Sequence, residues 1–371
     1  MRLLFEHCLS VVIHVRKQVS SHFRHYNIYA VIIAACGMSL SSVRAEPVTV
    51  SPYASVLLRY ENDTAMAGAS DRERLRATVR AGIQGSIGNA WRYRVRVSTG
   101  LKNRQNVPSI TLYRFTEQGL PDKDVYVDQA YVEYQHDDTA FIAGKIPWQL
   151  TNSTDVFWDR DLHPIGAALH HQVSDGLTLT GFWGAPLDGA SGTIGSLQAV
   201  QATWTTKYDN TSWTFAPWLV NYEGQQHCQY ACKETGSDHT SLRLSTWLSW
   251  QQWRIAVDAG HALTSDGVTV DADRDDRTSL AVELRYGKLK EKGDFQAHLR
   301  LLHVEKFAVI EEFAQNATGR LATTNYNGID VRARYSVRAD WWVGTRFSHL
   351  NSLEGDKKHA NRFRIETQYR W

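Results

Sequence analysis

The chain has 371 residues, 43% hydrophobic and 22% charged, with 41 Lys/Arg against 39 Asp/Glu. That balance argues against a nucleic-acid partner, because phosphate binding needs a basic excess on one face. No stretch beyond the first 45 residues has the eighteen or so consecutive apolar residues of a transmembrane helix.

The chain opens on an expected signal peptide over residues 1–45. Arg16, Lys17 and Arg24 precede an apolar run, Ile28 to Ala35, and Val43-Arg44-Ala45 supplies a small-residue cleavage site. A lipoprotein signal presenting Cys36 is the competing reading, and both imply export. Removing residues 1–45 takes away five Lys/Arg and one Asp/Glu, leaving 36 and 38.

Residues 46–371 read as a single domain in which apolar and polar residues alternate with period two. Side chains along a strand point to opposite faces, so such segments have one oily and one wet face. Strands are expected at 50–60, 73–87, 91–101, 124–135, 140–146, 167–173, 177–184, 197–207, 211–221, 240–250, 253–262, 278–286, 294–302, 327–335, 341–349 and 361–371. Seven short turns alternate with eight longer loops. The expected fold is therefore all-β, a transmembrane antiparallel barrel of about 16 strands, with 14–18 compatible, short periplasmic turns and long extracellular loops. The mean hydropathy of −0.40 suits alternate residues facing lipid, and 13 Trp with 16 Tyr suit interfacial girdles. Pro217 is expected to cost the ninth strand one ladder bond.

Sixteen strands leave room for an aqueous lumen. In the second strand Leu75, Ala77, Val79, Ala81 and Ile83 oppose Arg74, Arg76, Thr78, Arg80 and Gln84. In the third, Trp91, Tyr93, Val95 and Val97 oppose Arg92, Arg94 and Arg96. The six arginines should stack in one ladder, which needs water or acidic partners because like charges on neighbouring strands repel. They either solvate the lumen or form the basic wall of an anion-favouring constriction. The acidic counterpart is expected in Pro147 to Gly166, with Asp155, Asp159 and Asp161. Phe157 and Trp158 make this loop too apolar to be freely solvated, so it should fold into the lumen.

The stretch Gly144-Lys145-Ile146-Pro147, followed by Asp155-Val156-Phe157-Trp158-Asp159-Arg160-Asp161-Leu162-His163-Pro164-Ile165-Gly166, resembles the Gram-negative outer-membrane family described as putative porins. There a G-[KR]-x-P strand end leads into a W-D-x-D-L-x-P-x-G loop. The resemblance implies a porin in the outer membrane of a Gram-negative bacterium, a one-barrel channel for passive diffusion of small hydrophilic solutes. No cofactor is expected. By analogy with sixteen-stranded porins, a homotrimer is expected.

Further along, His163, His170 and His171 read as structural or pore-lining rather than metal ligands. Cys228 and Cys232 suit a local disulfide in an oxidising compartment. A metal site with His227 and His239 is the alternative, though the spacing matches no structural zinc pattern. Asp271 to Asp276 reads as a solvated loop tip, where barrels also meet divalent cations or lipopolysaccharide. Phe307, Ile310 and Phe313 suggest a short helix capping the pore, the basis of a closed, adhesive or structural alternative. Arg346 to Ser352 faintly resembles the His-x-Ser of lipid A deacylases, but Asn351 stands where that serine belongs, so the enzyme alternative is disfavoured. The final strand sets Phe363, Ile365, Thr367, Tyr369 and Trp371 against Arg362, Arg364, Glu366, Gln368 and Arg370. The terminal Trp371 resembles the assembly signal read by the outer-membrane barrel-assembly machinery.

Overall fold

The computed structural model describes residues 47–65, 70–100, 107–116, 124–188, 192–193, 195–224, 238–265, 276–310, 313–314, 324–356 and 358–371. The expected leader, the Cys228–Cys232 pair with His227, and Asp271–Asp275 lie outside the described residues.

In chain order the strands are β1 (Ser51–Thr64), β2 (Arg72–Ile87), β3 (Trp91–Thr99), β4 (Ile110–Arg114), β5 (Val125–His136), β6 (Thr139–Lys145), β7 (Ile165–Ser174), β8 (Leu177–Ala185), β9 (Leu187–Asp188), β10 (Gly192–Thr193), β11 (Gly195–Tyr208), β12 (Thr211–Gly224), β13 (Asp238–Trp250), β14 (Trp253–Ser265), β15 (Thr278–Gly287), β16 (Phe295–Val304), β17 (Tyr326–Arg338), β18 (Trp341–Ser352) and β19 (His359–Arg370). All but β4, β9 and β10 are staves of one closed antiparallel barrel, sixteen in number. Each of the sixteen expected strands corresponds to one stave. β4 and the small β9–β10 hairpin were not expected; β4 extends the wall beyond the end of β3 by pairing with β2.

Closure follows from hydrogen bonding. Hydrocarbon offers no partner for a backbone N–H or C=O, so an open edge is excluded. β19 therefore pairs with β1, from Ser55 opposite Arg370 to Thr64 opposite Asn361. Trp371 and Ala54 then exchange backbone hydrogen bonds at 3.0 and 3.1 Å. Pro217 lies inside β12, whose pairing with β13 runs on through Pro217–Leu244. On the β11 side the ladder skips from Gln201–Trp218 to Trp204–Phe215, so the missing donor costs one local gap.

One end of the barrel carries tight turns. Asp137, Asp209 and Gln251 open two-residue turns in the left-handed region, at φ of 48°, 49° and 51°, as the twist of a tight hairpin requires. The connections at the other end are longer, reaching across residues 100–124 between β3 and β5. The outward face is apolar along its length, with Val79, Ile83, Leu299 and Ile365 exposed. Near the turn end it becomes aromatic: Trp91 packs on Tyr134 at 4.7 Å between ring centroids and Trp253 on Tyr286 at 4.8 Å. An aliphatic band ending in an aromatic girdle is the surface a membrane-spanning barrel presents to lipid.

The apolar core lies inside the barrel. Ile146, Leu150, Val156, Phe157, Trp158 and Leu162 of the β6–β7 loop pack with Val309, Ile310 and Phe313 of the β16–β17 loop. Both rest on Phe182, Leu197, Trp218 and Tyr222 of the inner wall. The described residues of 305–314 form turns, not the expected capping helix. Phe307, Ile310 and Phe313 are nonetheless buried: Ile310 and Phe313 belong to the apolar cluster shared with the neighbouring loop, and the Phe307 N–H donates to the Asp276 carbonyl at 2.8 Å.

Candidate functional site

The β6–β7 loop is tied to the wall at both flanks. Gln201 bridges Thr151, accepting from its N–H at 2.6 Å and donating to its carbonyl at 2.7 Å. Thr154 donates to Asp258 at 2.7 Å and Ser153 to the Val257 carbonyl at 3.0 Å. Beneath the loop, the fully buried Arg243 guanidinium sits 4.3 Å from the Phe157 ring and 5.3 Å from Trp218. It fits because Gly260 is opposite; a Cβ there would come within 2.3 Å of Arg243 Nη1. Trp148 stacks on Trp158 at 4.4 Å, and the Asp159 N–H donates to the Phe313 carbonyl at 2.6 Å.

The loop's acidic residues diverge. Asp161 accepts from Arg80 at 2.7 Å, on the β2 wall. Asp155 accepts from Arg300 at 2.9 Å, on β16 across the lumen. Asp159 turns back into the loop and accepts from the Asp161 N–H at 2.9 Å. Burial pushes the Asp159 carboxyl up to about 8, helped by the neighbouring Asp161 carboxylate. Burial also opposes ionisation of Asp155, but Arg300 and then Arg160 outweigh it and hold it at about 2. Asp161 is held low against burial by Arg80 and Arg160. Arg160 itself is exposed, projecting from the loop into the cavity.

The six arginines expected as one ladder do not stay together. β2 and β3 pair with Arg80 opposite Ser98, Gln84 opposite Arg94 and Gly82 opposite Arg96. Arg74 and Arg76 lie beyond the end of β3, beside β4, because β2 is longer than its partner. Arg92 is exposed near the turn end and pairs with Glu133 at 3.1 Å. Arg94 donates to Gln84. Arg96 donates to Asp128 at 2.5 Å, while Arg74 donates to Glu61 and Arg76 to the Ser109 carbonyl at 2.6 Å. Like charges are thus separated by buried carboxylates that were not singled out from the sequence. Glu61 and Asp63 lie on β1 beyond its expected end, and Asp128 lies on β5.

The same holds on the far side of the closure seam. Glu366 bridges Arg59 at 2.7 Å and Arg332 at 2.9 Å. Glu61 accepts from Arg364 and Asp63 from Arg362, at 2.8 and 2.5 Å. Asp330 accepts from Arg346 at 2.7 Å. These inward residues alternate with Phe363, Ile365 and Phe347 on the lipid face, so strand periodicity contained the signal. The histidines have local roles: His163 meets Asp128 at 2.7 Å, His170 bonds Thr180 and Gln149 at 3.0 Å, and His171 bonds Thr139 at 3.0 Å. His239 is buried at the end of β13, 6.5 Å from the Phe157 ring. His349 bonds Asn361 at 2.6 Å and Asn351 at 3.1 Å, and faces away from Ser348 on the same strand. Among the described residues no group of His, Cys, Asp and Glu is placed to hold a metal ion.

What the two loops leave open is a cavity of about 660 Å³ between the loop carrying Arg160 and the wall of β1, β2 and β17–β19. Fourteen arginines and four carboxylates line it. A wet, charged lumen inside an apolar outer surface is the arrangement of a transmembrane β-barrel.

Comparison with known proteins agrees. Residues 41–197 match a family model described as putative porin, a stretch that includes the Gly144–Gly166 motif. The chain is similar in fold to OprB of Pseudomonas putida (TM-score 0.58, 9% identity, 87% of this chain and 94% of that one). It is also similar to Salmonella typhi OmpF, solved with daunomycin (TM-score 0.56, 11% identity, 88% and 98%). A third likeness is Acinetobacter baumannii OccAB2 (TM-score 0.52, 9% identity, 87% and 98%). At such identities the likeness establishes the fold. No curated protein sequence matches the chain.

Proposed function

We propose that this protein is an outer-membrane porin of a Gram-negative bacterium, passing small hydrophilic solutes by diffusion and favouring anions. The observation that carries the reading is the cavity lining, fourteen arginines to four carboxylates. Lumen charge of one sign within low-dielectric walls concentrates counter-ions and repels co-ions. Arg160 on the loop faces Arg332 and Arg334 on the wall, so a solute entering the cavity meets guanidinium on both sides.

The loops also set a size limit. Because 147–166 and the described residues of 305–314 fill part of the barrel with an apolar core, the open part is much smaller than a sixteen-stranded lumen allows. Outer-membrane lipid contacts the aliphatic band, and lipopolysaccharide would meet the long-loop end. Assembly as a homotrimer, insertion through the barrel-assembly machinery, and removal of residues 1–45 as a signal peptide belong to the same reading. No step of it calls for an enzymatic role or a cofactor.

The test is proteoliposome swelling with solutes matched in size. Gluconate should enter faster than glucose through the purified protein. Equal rates, or faster entry of glucose, would refute anion preference; absence of swelling with either would refute the channel.

A further inference from the structure

Two rows of inward residues run side by side around the barrel, and they differ in balance. In one, directly opposed residues read Glu283, Arg300, Asp330, Ser348, Arg362, Asp63 and Arg72, alternating in sign. The other, two residues away along each strand, starts at Arg254 opposite Arg285 and continues through His298 to Arg332. It goes on through Arg346, Arg364 and Glu61 to Arg74 and Arg114. That row contains seven arginines and a single carboxylate. It also climbs. Arg254 is the second residue of β14, next to a tight turn, whereas Arg74 is the third residue of β2 and Arg114 ends β4, beside the long loops.

Directly opposed like charges are destabilising, so a row of this kind needs a compensating occupant. Resident carboxylates supply part of it: Arg332 leans on Glu366 at 2.9 Å and Arg364 on Glu61 at 2.7 Å. Donors are left over. Arg332 Nε and Arg364 Nη1 have no hydrogen-bond partner, though these residues are only 8% and 2% exposed and both line the cavity. A buried guanidinium N–H without a partner is costly.

We propose that this row is a binding track for multivalent oxyanions, with its main station between Arg59, Arg332 and Arg364 on the wall and Arg160 on the loop. Arg346 stands between Arg332 and Arg364 in the row and also lines the cavity, and opposed residues on neighbouring strands stand about 5 Å apart. One solute carrying two carboxylate or phosphate groups can therefore span two guanidiniums at once, each through the planar fork that matches an oxyanion. A monovalent anion engages one at a time. The climb of the row provides further arginines on either side, so a bound solute can exchange stations rather than escape into a neutral stretch.

The inference rests on the channel reading, and the experiment separates the two. Chloride current through the full-length protein is recorded in planar bilayers at constant ionic strength while pyrophosphate, succinate or acetate is added. Binding of pyrophosphate is measured in parallel by calorimetry on the detergent-solubilised protein. The expected result is saturable block by pyrophosphate and succinate at concentrations at least about tenfold below acetate. Arg364→Gln and Arg160→Gln should each weaken pyrophosphate block and binding by about tenfold; Arg160 sits on an exposed loop tip, so its variant tests the site even if Arg364→Gln misfolds. Conducting channels blocked equally by acetate and pyrophosphate would overturn the inference and leave the channel intact. Calorimetric binding lost in Arg160→Gln, without any current, would keep the site and remove the channel. Flat calorimetry with normal current would also overturn the inference.

Discussion

Asp128 faces the lumen because β5 carries one extra residue opposite Arg96 and Val97, which pair with Gln129 and Val127. A bulge of this kind turns two consecutive side chains inward, and both Asp128 and Gln129 are buried. The carboxylate then meets Arg96 at 2.5 Å, His163 at 2.7 Å and Arg80 at 3.8 Å. Period-two reading places Asp128 and Gln129 on opposite faces, so this contact is invisible to it. Removing one member of a buried charge group leaves the others uncompensated. Asp128→Ala is expected to lower stability by about 3 kcal/mol, read as a reduced urea midpoint in detergent; an unchanged midpoint would mean the pairing is dispensable.

Asp159 gives a pH dependence of defined sign. Its carboxyl titrates near 8 in the folded protein, above its ordinary 3.8, because it is buried beside Asp161. A raised carboxyl favours the neutral form, so its contribution is fully present below about 3.8 and is lost as pH rises through about 8. The thermal midpoint should therefore fall between those limits, and Asp159→Asn, which mimics the neutral acid, should remove most of the fall. An equal fall in wild type and variant would exclude Asp159 as the cause.

The strands were legible because each keeps period two over most of its length, bulges such as that at Asp128 apart. Their ends were less so: Glu61, Asp63 and Arg114 lie where an expected strand stops short or was not expected at all. The β6–β7 loop's apolar content, Phe157 and Trp158 included, pointed to burial, because such side chains gain free energy on leaving water, and both rings are buried. Its opposite wall was not legible. The loop's anchors on Gln201 and Asp258 are pairings between segments far apart in sequence, set by the closed barrel. Gln201→Leu removes both bonds to the Thr151 backbone. The loop should then detach more readily, giving noisier single-channel currents with a higher mean conductance. Quiet currents of wild-type size would show that Asp258 and the aromatic packing suffice.

For the whole molecule, closure through β1 and β19 places Arg59, Glu61 and Asp63 beside Arg362, Arg364 and Glu366, residues about 300 positions apart. The seam of the barrel is thus also the cationic wall of the cavity. Neither terminal strand reveals this alone; the juxtaposition exists only because membrane solvent forbids an open edge. The apolar loops opposite push the aqueous path against that wall, so charge and cross-section act on the same solute.

The most direct measurement is the zero-current potential of the wild-type channel across a bilayer separating dilute from concentrated KCl. An arginine-lined path predicts a potential of the sign set by chloride flowing down its gradient faster than potassium. A potential of the opposite sign, or one at zero, would contradict an anion-favouring lumen.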